Sequence, residues 1–155
     1  MLKVKPHQQK PGMCGPACLK MVFGYYGINK TEKELAKTAH STRLHGTKTK
    51  NMLAAARLID LKAKKIDQAT MEQLRYYVLE KKIPVIVRWF NEDTGHYSVV
   101  VHMDQRYIYM QDPDLGKIRK MDLEKFEKLW FDFEGEYRIR KKKDMIEQRM
   151  LIVWK

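Results

Sequence analysis

The strongest constraint on the fold of this 155-residue chain is a change of hydrophobic rhythm near residue 83. Before that point apolar side chains recur at intervals of three and four, the period of a helix packed on one side. Ala17, Cys18, Met21, Val22, Tyr25 and Tyr26 form such a stripe and predict a helix over 14–26. Pro16 fits only within its first turn, and Gly27 stops it. Thr31 with Glu34 has capping-box spacing and opens a second helix through residue 39. A third is expected over 51–59 and a fourth over 70–81, again after a Thr with Gln73 three residues on. Beyond residue 83 the pattern is that of strands over 84–89, 96–101 and 107–110. Turn residues at 91–95 and 104–105 separate them, as in an antiparallel meander. Asp122 caps a short helix to residue 130, and 150–154 reads as a last strand. Helices followed by strands specify an α+β domain whose two halves can form a cleft. At this length a core closes without disulfide or metal staples, so 1–155 is read as one domain.

Charge sets the next limits. The chain has 31 Lys and Arg against 19 Asp and Glu, a formal charge of +12, which attracts acidic proteins, nucleic acid or anionic membranes without choosing among them. Part of the excess lies in Arg138-Ile139-Arg140-Lys141-Lys142-Lys143; the rest is scattered as on solvated faces. No segment reaches the roughly 20 apolar residues of a membrane span, and the N-terminus lacks a signal-type apolar stretch, so a cytoplasmic protein is expected. With two cysteines, Cys14 and Cys18, no secreted-type disulfide framework is expected. Nor does the sequence call for a cofactor or metal.

The candidate chemistry begins at Cys14. A thiol attacks a carbonyl as thiolate, which is favoured at a helix N-terminus by unpaired N–H groups and the macrodipole. Cys14 follows the turn Pro11-Gly12-Met13 and opens the first predicted helix, whereas Cys18 falls on the buried stripe as a small hydrophobe. A nucleophile needs a base, and the base an orienting group. Among five histidines, His7 lies in the N-terminal arm, His40 and His45 in a polar region, and His102 at a strand end. His96 instead opens an apolar strand directly after Gly95. Asp112 ends the next strand, before Pro113. If the two strands pair as an antiparallel hairpin, the start of one lies beside the end of the other, making His96 and Asp112 neighbours.

In order along the chain, Gln8, Cys14-Gly15-Pro16-Ala17-Cys18-Leu19, Gly95-His96-Tyr97-Ser98-Val99-Val100 and Asp112-Pro113 resemble the C39 peptidase domain of the papain-like superfamily. The likeness runs from about Gln8 to Trp130. It implies a papain-like fold, with an N-terminal helical half packed on a C-terminal antiparallel sheet. It also implies Cys14 as nucleophile, His96 as general base and then acid, and Asp112 as its orienter. Gln8 rather than the adjacent Gln9 would join the Cys14 backbone N–H in an oxyanion hole. Family members are best known as N-terminal domains of bacteriocin-exporting ABC transporters that cleave leader peptides after Gly-Gly. This sequence shows neither the membrane spans nor the nucleotide-binding domain of those exporters, so coupling to transport would need a separate polypeptide. It also carries a charged segment over 132–148, expected as an exposed insertion or as a basic hairpin or helix for an acidic partner.

The expected activity is therefore a cysteine peptidase that cuts a peptide or small protein through a thioester acyl-enzyme. Acyl transfer or deamidation by the same triad is a second possibility, and a non-cleaving C39-like binding module a third, opposed by the presence of Cys14. Nucleic-acid binding ranks last, because the aromatics follow core patterns rather than interleaving with the basic run.

Overall fold

The computed structural model describes residues 1–92, 94–133 and 142–155. Three helices, α1 (Cys14–Tyr25), α2 (Glu32–Thr38) and α3 (Thr49–Leu58), precede a strand β1 (Lys62–Ile66) and a fourth helix α4 (Met71–Arg75). A π-helical turn (Tyr76–Glu80) prolongs α4. Then come β2 (Val85–Asn91), β3 (Thr94–Met103), β4 (Tyr107–Asp112), β5 (Lys117–Asp122) and helix α5 (Leu123–Leu129). The chain continues through β6 (Phe131–Phe133), a 3-10 turn (Lys142–Asp144), β7 (Met145–Glu147) and β8 (Arg149–Trp154).

Six strands form one antiparallel sheet in the order β1-β8-β2-β3-β4-β5. The final strand is therefore inserted between β1 and β2, pairing Ile152 with Lys64 and Leu151 with Ile86. Its unbroken apolar sequence follows from that position, since both faces are covered. On one face Leu151 and Val153 join Leu19, Phe23, Met52, Ile86 and Val99 under α1–α3. On the other, Met150 and Ile152 join Leu74, Val78, Trp89, Phe126 and Trp130 under α4 and α5. The predicted α+β class and the central strands match this architecture. The expected packing of an N-terminal helical half on a C-terminal antiparallel sheet holds as well, with two additions: β1 from the first half joins the sheet, and α5 packs on its far face.

The two strands of this sheet that alternation does not reveal, β1 and β5, are its edges. Lys62, Lys64 and Lys65 lie on one, and Lys117, Arg119 and Lys120 on the other. Charged side chains on an edge oppose further strand pairing, and they also hide the strand from an apolar pattern. The fourth helix is capped as expected: Thr70 Oγ1 accepts from the Gln73 N–H at 3.1 Å and Gln73 Oε1 from the Thr70 N–H at 2.9 Å. It is shorter in α-form than predicted, because the last turn widens to π.

The charged segment expected as an insertion starts and ends as paired strands, with Asp132 opposite Ile146. Asp132 is buried and forms an ion pair with Arg88 of β2, so this end of the segment is integral to the fold. Residues 134–141, with Arg138 to Lys141 of the basic run, lie outside the described residues; Lys142 and Lys143 are exposed. Among the described residues no helix is long and apolar enough to cross a membrane.

The N-terminal arm fixes where α1 begins. The Leu2 N–H bonds the Val101 carbonyl at 3.0 Å, the Gln111 amide nitrogen bonds the Val4 carbonyl at 2.9 Å, and the Gln9 N–H bonds the Pro113 carbonyl at 2.8 Å. The Glu32 carboxylate on α2 holds the Lys10 N–H and the His7 ring. The arm is thus tied to β3, β4 and α2 immediately before the turn that delivers Cys14. Gly12 turns at φ +76°, where a Cβ would stand 2.5 Å from the Arg43 carbonyl oxygen.

Candidate active site

Cys14 is the first residue of α1 and is half-buried. No side chain caps this helix and its first turn has no acidic residue, so its N–H groups present uncompensated positive charge beside the thiol. Cys18, one turn on, is fully buried. Burial first, then the charges of Cys14 and Asp112, push its thiol well above the ordinary value of 9.0, leaving it unreactive.

Sheet register assembles the rest. Trp89 pairs with His96 across β2 and β3. Val99 pairs with Gln111 across β3 and β4, which puts Asp112 opposite Ser98 and diagonal to His96 on one face. The His96 Nε2 and Asp112 Oδ1 atoms are 2.6 Å apart. Because Nε2 faces the carboxylate, Nδ1 is the nitrogen left to the Cys14 thiol, which is near enough to the ring to favour its protonated form. The Trp89 indole stands edge-on to His96, with centroids 5.7 Å apart, and its N–H donates to Ser98 Oγ at 3.0 Å.

Burial disfavours a charged His96, but hydrogen bonds to Asp112 and Cys14 and the negative charge on both outweigh it, raising the imidazole from 6.5 to about 9. Asp112 is almost wholly buried. Burial would raise its carboxyl, yet the bond and charge of His96, the Arg119 guanidinium and the Asp114 N–H together hold it below the ordinary 3.8. Arg119 Nε donates to Asp112 Oδ2 at 2.5 Å, and the Asp114 N–H to Oδ1 at 2.9 Å. The carboxylate therefore enters the site already charged and fixed in orientation.

Gln8 and Gln9 occupy different places from one another. Gln8 is exposed on the rim formed by the 112–116 turn, its amide nitrogen 3.5 Å from the Asp114 carbonyl and its Cβ against Gly116. Gln9 is half-buried, and its Oε1 has no partner among the described residues.

A sequence profile of the Peptidase C39 family matches residues 4–133. The chain belongs to this family of cysteine peptidases. This C39 chain is 35% identical over 111 residues to an uncharacterized protein of Methanothermobacter thermautotrophicus, covering 72% of each. It is 31% identical over 119 residues to the transport/processing ATP-binding protein ComA of Streptococcus pneumoniae, a match that takes in 76% of this chain and 16% of that protein. In fold it resembles a double glycine motif protease from an AMS/PCAT transporter, solved in complex with a leader peptide. The TM-score is 0.70 at 24% identity, over 99% of this chain and 92% of that one.

Several residues of the C39 domain that shape the site were not anticipated. Arg119 comes from an edge strand that the sequence pattern hid. Trp89 lies in the apolar run over 84–89, and its register with His96 follows once the hairpin is drawn. Gly15 packs so closely on Thr47 that a Cβ would lie 2.7 Å from the threonine Cβ and Oγ1. Gly95 likewise leaves room for the Asp132 carboxylate, which a Cβ would overlap. Both glycines stand in the recognised motifs, and close approach of a neighbouring element explains each.

Proposed function

We propose that this C39 chain hydrolyses a peptide bond in an extended peptide or small protein through a thioester acyl-enzyme. Cys14 is the nucleophile, His96 the base and then acid, and Asp112 the group that orients His96. The observation that carries the reading is a half-buried thiol at an uncapped helix start, beside an imidazole that a buried carboxylate holds at 2.6 Å.

In the first step the Cys14 sulfur bonds the carbonyl carbon and charge moves to the carbonyl oxygen. The Cys14 backbone N–H and the Gln8 amide are the proposed donors to that oxygen; for Gln8 the support is its spacing from Cys14 and the family likeness. Collapse breaks the C–N bond as His96 Nδ1 gives its proton to the leaving amine. Water then adds to the thioester, losing a proton to His96. The C–S bond breaks, releasing a carboxylic acid and restoring the thiol. An imidazole raised to about 9 is protonated at neutral pH and so is ready to act as the acid of the first half.

The substrate is proposed to be a leader peptide cut after a Gly-Gly pair in the cytoplasm. ComA is named as a transport and processing protein, and the structural relative was solved with a leader peptide. A separate transporter polypeptide would then receive the product. Incubation with Gly-Gly leader peptides and with scrambled controls, followed by mass spectrometry of new termini, tests the proposal. New termini should appear with the native chain and vanish with Cys14→Ala. Their persistence in that variant would overturn the assignment.

A further inference from the structure

Beside the candidate active site lies an open cavity of about 930 Å³, formed by the 40–48 loop, the first turn of α3 and residues of β1, β2 and β8. Its cations are Lys48, Lys50, Lys65, Arg88 and Arg149, and among the described residues its lining includes no Asp or Glu. Among the described residues, two carboxylates pair with these cations. Asp67 takes Arg149 at 2.6 and 3.0 Å and Lys65 at 3.0 Å, and Asp132 takes Arg88. Among the described residues, five cations against two carboxylates leave the cavity positive by three charges, and Lys48 and Lys50, both exposed, supply two of them. The first turn of α3 adds to this: it has no acidic residue, and its Lys48 cap makes no side-chain bond to the helix.

The cavity adjoins the site through two contacts. Thr47 on its wall packs on Gly15, next to Cys14. The Tyr97 hydroxyl, from the residue after His96, reaches Thr49 Oγ1 at 2.8 Å and the Thr47 carbonyl at 3.3 Å. A chain bound across Cys14 would therefore place neighbouring side chains in a positive, walled space.

We propose that this cavity is a specificity pocket for acidic side chains, so that the substrate carries Asp or Glu close to the scissile bond. This rests on the peptidase reading and names the substrate class for it. Ammonium groups on flexible stems suit carboxylates of variable reach. A nucleic-acid strand fits less well, because among the described residues no Phe, Tyr or Trp lines the cavity to stack a base.

The test uses the full chain at low ionic strength, with fluorescent hexaglutamate and hexaglutamine peptides read by anisotropy, and alkylation of Cys14 by iodoacetamide as a second readout. Hexaglutamate should bind, hexaglutamine should not, and the bound acid should slow alkylation of Cys14. Lys48→Glu with Lys50→Glu should weaken binding about tenfold or more, and the Gln pair by less, whereas Lys125→Glu with Lys128→Glu on α5, beyond the sheet, should leave it within about twofold. Equal binding of the two peptides, an equal loss from the α5 pair, or unprotected alkylation would overturn the proposal. So would displacement by oligothymidylate through the same two lysines, which would make the cavity a nucleic-acid site. A Cys14 that reacts with nothing would count against the peptidase reading, and the lysine dependence of the anisotropy would still decide the pocket.

Discussion

Replacing Asp112 with Asn keeps the shape of the orienting group and removes its charge, so it isolates what the carboxylate does for His96. In the native chain the rise of His96 from 6.5 to about 9 is achieved against burial, by hydrogen bonds and charge from Asp112 and Cys14. That rise corresponds to about 3 kcal/mol of preference for imidazolium, at roughly 1.4 kcal/mol per tenfold. Without the carboxylate, burial is opposed by Cys14 alone, and the imidazole should titrate at or below its ordinary 6.5. NMR titration of the His96 ring and the pH profile of Cys14 alkylation both read this change. The alkaline limb near pH 9 should move to neutral pH or lower, and turnover should fall about 10²–10⁴-fold. Arg119 would lose the partner now 2.5 Å away, so some stability, about 1–3 kcal/mol, should go as well. A His96 that still titrates near 9 in Asp112→Asn would refute the reasoning, because the raised value would then owe nothing to the carboxylate charge.

Stability should depend on pH in a direction set by the same group. His96 is raised in the folded state, so its contribution is full below 6.5 and is lost as pH rises through about 9. Urea unfolding at pH 6 and pH 9.5 should show a loss of up to about 3 kcal/mol that is absent in His96→Ala. Gly15→Ala should reduce stability by about 1–3 kcal/mol because its Cβ meets Thr47, and adding Thr47→Gly should recover part of it; no loss in the single variant would show that the contact yields freely. Gln8→Ala should lower turnover about 10²–10³-fold while leaving alkylation of Cys14 unchanged, and Gln9→Ala should not. The opposite result would move the oxyanion role to Gln9, whose buried Oε1 lacks a partner among the described residues.

What could be read directly from the sequence was what local physics determines. The stripe from Ala17 to Tyr26, Thr31 and Thr70 as caps, and the break after residue 83 each act over a few residues, and α1, α2, α4 and the central strands follow from them. The neighbourhood of His96 and Asp112 was also legible, because one hairpin brings the two residues together. The rest depends on partners remote in sequence. Lysines disguise β1 and β5, the pairing of β1 with a strand at the far end of the chain gives no local sign, and Arg119 reaches Asp112 only after β5 has docked. Widening of the fourth helix to a π turn at Tyr76–Glu80 changes no apolar spacing that a periodicity search would detect. Spacing from Cys14 distinguished Gln8 from Gln9, whereas the different burial of the two comes from the turn at 112–116 and the tied arm.

The central claim is that Cys14, and not Cys18, is an activated thiol. Brief treatment of the native chain with iodoacetamide at pH 7, followed by peptide mapping, measures both cysteines in one sample. Cys14 at the helix start beside His96 should be alkylated at least about a hundred times faster than fully buried Cys18, with the advantage greatly reduced in His96→Ala. Equal labelling of the two cysteines, or a Cys14 rate indifferent to His96, would contradict the account.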